Sequence, residues 1–126
     1  MDAYLKRRCQ QQDISGELVV TATTGDTTLV TVKNSSYTLY IQSIVAYITT
    51  DAAASWSFES ATGAEIAVVT TSPGDNTRWA FDFGPEGKSV TSGQNFVLNV
   101  SATGVAGHIE WSGYQKLNSG VAPSST

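Results

Sequence analysis

The sequence predicts an all-β protein: one antiparallel β-sandwich of about eight strands, with a jelly roll preferred over an immunoglobulin-like arrangement. Three observations carry this. Apolar residues alternate with polar ones at period two in segment after segment, Arg78–Gly84 being the clearest, and that is the spacing of a strand with one buried face. Gly, Pro, Asn and Asp punctuate the alternation at short intervals, which reads as tight turns. Charged residues make up only 14% of the chain while Ser, Thr and Gly are abundant, a mix that suits strands and turns better than helices. With no helical segment to carry crossovers, parallel α/β architectures are excluded. Eight short strands without a Cys-Trp-Cys spacing favour the jelly roll.

Residues 1–13 form an N-terminal arm that differs from the rest. They are charged and glutamine-rich and gather Lys6, Arg7 and Arg8. Leu5 and Cys9 stand i, i+4 behind Asp2, which fits a short helix or a segment ordered by a partner. Residues 14–116 form the sandwich domain. Glu17–Thr23 and Thr27–Lys33 flank Thr24-Gly25-Asp26 and read as two strands joined by a hairpin turn. In Tyr37–Thr50 the apolar set changes phase, from Tyr37, Leu39 and Ile41 to Ile44, Ala46 and Ile48. A bulge near Gln42-Ser43 returns the second half to the core face of what should be a central strand.

Ser55–Glu59 carries Trp56 and Phe58, and Glu65–Thr70 follows the turn Ala61-Thr62-Gly63. Ser72-Pro73-Gly74-Asp75-Asn76 is a loop. Arg78–Gly84 sets Trp79, Phe81 and Phe83 on one face, which has to be buried or covered by a partner. After Gly84-Pro85-Glu86-Gly87, the stretch Asn95–Ala102 repeats the alternation with Phe96, Leu98 and Val100. Ala106–Lys116 is the last strand, and Gly113 within it marks a bulge or a close backbone approach. Residues 117–126 lack any pattern and form a flexible tail.

Chemistry is sparse. His108 is the only histidine, so a Ser-His-Asp reading has to pass through it with Asp82 or Glu110, and no Gly-x-Ser-x-Gly elbow accompanies it. His108 and Cys9 are too far apart in sequence to suggest a zinc site. Asp75, Asn76, Asp51 and Asp82 lack the spacing of a calcium loop and read as turn formers. Trp56 and Trp79 read as core, against a sugar-stacking platform. Trp111, set among Glu110, Ser112 and Tyr114, reads as an interface residue. The residues therefore predict no enzyme, no metal and no cofactor.

The single cysteine excludes an intrachain disulfide and favours assembly in a cytoplasm. No signal-like apolar run follows the early cations, and no membrane span is expected. Asn34-Ser35-Ser36 and Asn99-Val100-Ser101 are read as chance sequons. From Cys9 onward four cations stand against ten acids, a balance of −6. An acidic body is repelled by phosphates, so nucleic acid is not an expected partner.

Two stretches resemble small structural proteins of tailed bacteriophages. One is Thr38-Leu39-Tyr40-Ile41-Gln42-Ser43-Ile44 running into Thr49–Phe58. The other is Phe81-Asp82-Phe83-Gly84-Pro85-Glu86-Gly87 leading to Ala106–Lys116. The resemblance spans about Thr21 to Lys116 and is one of pattern and turn placement. It implies a β-sandwich module of the virion, assembled in the host cytoplasm and working as an oligomer, most naturally a homotrimer. The expected role is a capsid decoration or cement protein that binds the major capsid protein or other virion subunits. A tail or fibre component recognising a host surface glycan is the alternative. The expected partner-binding residues are Tyr4, Leu5, Lys6, Arg7 and Arg8 of the arm, together with Trp111 and Tyr114.

Overall fold

The computed structural model describes residues 11–21, 25–49, 54–71, 77–101 and 106–118. Nine strands appear there: β1 (Gln11–Thr21), β2 (Gly25–Val30), β3 (Tyr37–Ile48), β4 (Ala54–Ser60), β5 (Glu65–Thr71), β6 (Thr77–Asp82), β7 (Lys88–Ser89), β8 (Phe96–Val100) and β9 (Ala106–Leu117). They form two antiparallel sheets with no helix among the described residues. Sheet A runs β1-β9-β3-β6, with the two-residue β7 beside β6 on the same edge of β3; sheet B runs β2-β8-β4-β5. The sandwich is thus as the alternation predicts.

The pairs nest. First and last strands meet in β1·β9, then β2 meets β8, β3 meets β6 and β7, and β4 meets β5, with the pairs falling alternately in sheets A and B. This order is compatible with a jelly roll, in which one long hairpin is wound over two sheets. It corrects one local expectation. The turn around Gly25 does not join a hairpin, because β1 and β2 lie in different sheets and each finds its partner near the other end of the chain.

The bulge expected near Gln42-Ser43 is present. Ile41 pairs with Gly113 and Ser43 with Ser112, so Gln42 is the extra residue. Leu39, Ile41, Ile44, Ala46 and Ile48 consequently all reach the core from one strand. Gly113 sits opposite the bulge, where a Cβ would run into the Tyr40 carbonyl oxygen; the close approach is what the glycine permits. The core joins these aliphatics to Trp56, Phe58, Phe96, Leu98 and Val100 of sheet B, with Phe58 and Phe96 stacked at 6.2 Å between centroids.

Two tryptophans depart from expectation. Trp111, expected at an interface, is only 7% exposed and meets Phe96 edge-on. It faces inward because it pairs with Ile44 and Gly16 on the core side, and Gly16 leaves the space its ring fills. Trp79, expected in the core, is 37% exposed. Its partner Ala46 does point inward, but β6 is an edge strand, so the ring lies at the margin of the sandwich.

The sandwich reaches beyond the limits that composition suggests at both ends. β1 begins at Gln11 inside the glutamine-rich arm, with Gln11, Gln12 and Asp13 paired to Lys116, Gln115 and Tyr114. At the other end Leu117 is buried against Tyr37, and Asn118 donates from its backbone to the Ser36 carbonyl. Residues 1–10 and 119–126 lie outside the described residues.

Candidate interaction surface

Strand alternation fixes which side chains share the outer face of sheet A. The register gives successive rungs across β1, β9, β3 and the β6/β7 margin. They read Asp13, Tyr114, Tyr40 and Ser89; then Ser15, Ser112, Ser43 and Asp82; then Glu17, Glu110, Val45 and Ala80; and last Val19, His108, Tyr47 and Arg78. The face passes from stacked tyrosines, through small hydroxyls, to a mixed apolar and charged end.

That end concentrates exposed apolar surface. Val19 is 67% exposed and Tyr47 39%, and the marginal Trp79 adjoins Arg78 in sequence. Tyr47 is flanked on both sides of its rung. The His108 ring stacks on it at 6.1 Å, and the Arg78 guanidinium lies 5.8 Å from its centroid while Nε donates to the phenol oxygen at 3.4 Å. Tyr and Arg on a rigid strand are the residue types that dominate protein interfaces, since they bring large area with few rotatable bonds.

His108 finds an acidic partner on β1. Its Nε2 lies 3.3 Å from Glu17 Oε2. Of the two acids expected to orient it, Asp82 accepts the Gly84 N–H at 2.9 Å and serves a turn, while Glu110 does lie beside it. The register does gather Glu17, His108 and Glu110, whose ligand atoms lie within 4.8 Å of one another; sequence separation hid this, because β1 and β9 meet only in the fold. The groups are open to solvent on the sheet surface.

Tyr114, the remaining expected site residue within the described chain, stacks on Tyr40 at 5.0 Å and donates its hydroxyl to the Glu86 carbonyl at 2.7 Å. Burial, aided by Tyr40 and the Glu86 carboxylate, holds its phenol above the ordinary value near 10. Tyr4, Leu5, Lys6, Arg7 and Arg8 lie outside the described residues, as do Asp51, Asp75 and Asn76. The patch of Val19, Tyr47 and Arg78 was not singled out from sequence. The available signal was Val19 and Tyr47 falling on the polar phase of their strands.

The outer face of sheet B is built otherwise. Its rungs are Thr28, Val97, Glu59 and Glu65, then Asp26, Asn99, Ser57 and Val68. Asn99 donates to Asp26 at 2.7 Å and Ser57 to Glu59 at 2.9 Å. The four strands of this sheet contain no Lys, Arg or His.

No protein-family model and no curated protein matches the chain. Among solved structures, it is similar to the virus-like particle subunit of the extra small virus of the giant freshwater prawn Macrobrachium rosenbergii, with 11% identity and a TM-score of 0.42, over 86% of this chain and 80% of that one. A subunit of the Bacillus endospore appendages, described as disulfide-linked pili, shares 13% identity at a TM-score of 0.40, over 86% of each chain. The coat protein of Tobacco streak virus shares 13% identity at 0.37, over 92% of each.

Proposed function

We propose that the protein is a non-enzymatic structural component of a tailed-phage particle, a capsid decoration or cement protein that binds the capsid surface as an oligomer. The observation that carries the reading is the Val19–His108–Tyr47–Arg78 rung. It offers exposed apolar area beside a guanidinium and two carboxylates, presented on paired strands that need no reordering to bind. A sandwich holding such a face toward the particle and repeated around it adds many modest contacts by multivalency. The family resemblance includes strands that build this face, with Thr38–Ile44 in β3 and Ala106–Lys116 in β9, and also runs into β4 of sheet B.

Cosedimentation with emptied or expanded capsids tests it, together with the melting temperature of those capsids. The protein should pellet with them and raise their melting. Binding to host cells or to a glycan array, without binding to capsids, would instead establish the glycan-recognising tail component, with the stacked Tyr40 and Tyr114 as its platform.

A further inference from the structure

We propose that the outer face of sheet B is the receptor for the N-terminal arm of a second copy of this chain, with Lys6, Arg7 and Arg8 of one copy pairing with Asp26, Glu59 and Glu65 of the next. The inference rests on the reading of the protein as an oligomeric subunit, and adds the surface and segment that join its copies.

Charge placement is the first argument. Every strand cation of the described chain, Arg78, Lys88 and Lys116, belongs to sheet A, whereas sheet B carries Asp26, Glu59 and Glu65 alone. Glu59 and Glu65 stand directly opposite each other on β4 and β5, a like-charge pair that destabilises the sheet until a cation meets it. Lys88 of β7 reaches β5 through a backbone bond: its Nζ donates to the Ile66 carbonyl at 2.9 Å and lies 5.9 Å from the Phe83 ring. Val68, 37% exposed on the same face, offers an apolar contact for Leu5 or Tyr4.

Chain length is the second. Gln11 starts β1 on the free edge of sheet A. Arg8, three residues earlier, lies within about 11 Å of it even fully extended. The β4–β5 outer face of the same molecule is further. Reaching it means crossing to the other sheet, about 10 Å away, and then passing two to three strand spacings of about 4.8 Å each. The Arg8 backbone of the same molecule therefore falls short of Glu59 and Glu65, whereas a neighbour's arm can approach them from outside. An arm-to-face contact is head-to-tail, and closes into a ring where the rotation permits, which suits a cyclic trimer.

Sedimentation of the full chain at micromolar concentration and low salt tests this without any capsid, so its outcome is separate from that of the capsid reading. Reversing the face with Glu59→Lys and Glu65→Lys, or the arm with Lys6→Glu, Arg7→Glu and Arg8→Glu, should each weaken self-association about tenfold or more. Combining both sets should restore it, with thermal unfolding confirming that every variant is folded. Added salt should weaken the wild-type contact. Oligomers that survive either reversal, or a combined variant that stays dissociated, would overturn the proposal.

Which chain supplies the arm is read by moving the only cysteine, Cys9, to the residue placed on Val68. With Cys9→Ser, Leu5→Cys and Val68→Cys together, oxidation should produce chains linked to one another. Closure within single chains would place each arm on its own body and reject the second copy.

Discussion

The two sheets face each other with aromatic bulk set against aliphatics and glycines over most of the core, and face outward as mixed against acidic. Inward, sheet B supplies Trp56, Phe58 and Phe96, while sheet A supplies Ile41, Ile44, Ala46, Ile48 and Ile109 with Gly107 and Gly113 on the same phase, and one large ring, Trp111, over Gly16. Gly107 shows how they fit, since a Cβ there would meet the Trp56 ring at 2.9 Å as well as the Tyr47 carbonyl. Bulk from one sheet enters a hollow in the other, and both sequences are needed to fill the core at native density. Outward, sheet A combines apolar, aromatic and both signs of charge, and sheet B carries acids only. The inner faces therefore explain why the chain folds, and the outer faces carry the two proposed contacts.

Removing bulk from sheet B should have the largest effect. Trp56→Ala empties a fully buried site and should cost about 3–5 kcal/mol, visible as a large fall in melting temperature or loss of folding. Trp79→Ala, the same change at the margin of sheet A, should cost below about 1 kcal/mol. Equal losses would contradict the placement of the two rings.

Filling a hollow of sheet A should come next. Gly113→Ala places a methyl against the Tyr40 carbonyl opposite the bulge and should destabilise by about 1–3 kcal/mol. Should chemical denaturation show no change, the close approach at the bulge would be refuted.

A smaller effect is expected at Tyr114, on the outer face. Its hydroxyl bond to the Glu86 carbonyl is worth about 0.5–1.5 kcal/mol, which Tyr114→Phe should remove. Because the phenol is held above its ordinary value, the folded state keeps the proton that the unfolded chain releases. This contribution is fully present below pH 10 and is lost as pH rises through the folded-state value. The wild-type protein should lose more stability above pH 10 than Tyr114→Phe does. Parallel alkaline titrations of melting temperature would dismiss the role given to this group.

Much of the inner face was legible in the sequence because period-two alternation reports burial directly. The phase change in Tyr37–Ile48 even located a bulge, since two apolar sets on opposite parities have no other way to share a core. Trp56 was legible by this rule, whereas Trp79 and Trp111 were not. Trp79 has the right parity but lies on an edge strand, and strand order is not contained in local pattern. Trp111 has polar neighbours, yet alternation makes polar neighbours the normal company of a core residue. The hairpin at Gly25 was misread for a related reason, because turn residues show that a chain reverses without showing which sheet it enters. The outer-face cluster of Glu17, His108, Tyr47 and Arg78 comes from four strands and exists only through register.

Surface substitutions on the two outer faces should barely change stability, within about 0.5 kcal/mol, and should separate by what they abolish. The Val19–Tyr47 end of sheet A is the surface proposed to meet the particle. Cosedimentation of emptied capsids with a Val19→Glu, Tyr47→Ala variant shown to melt like the wild type tests it. This variant should stay in the supernatant under conditions where the wild-type protein pellets. A variant that pellets with capsids as the wild type does would contradict it.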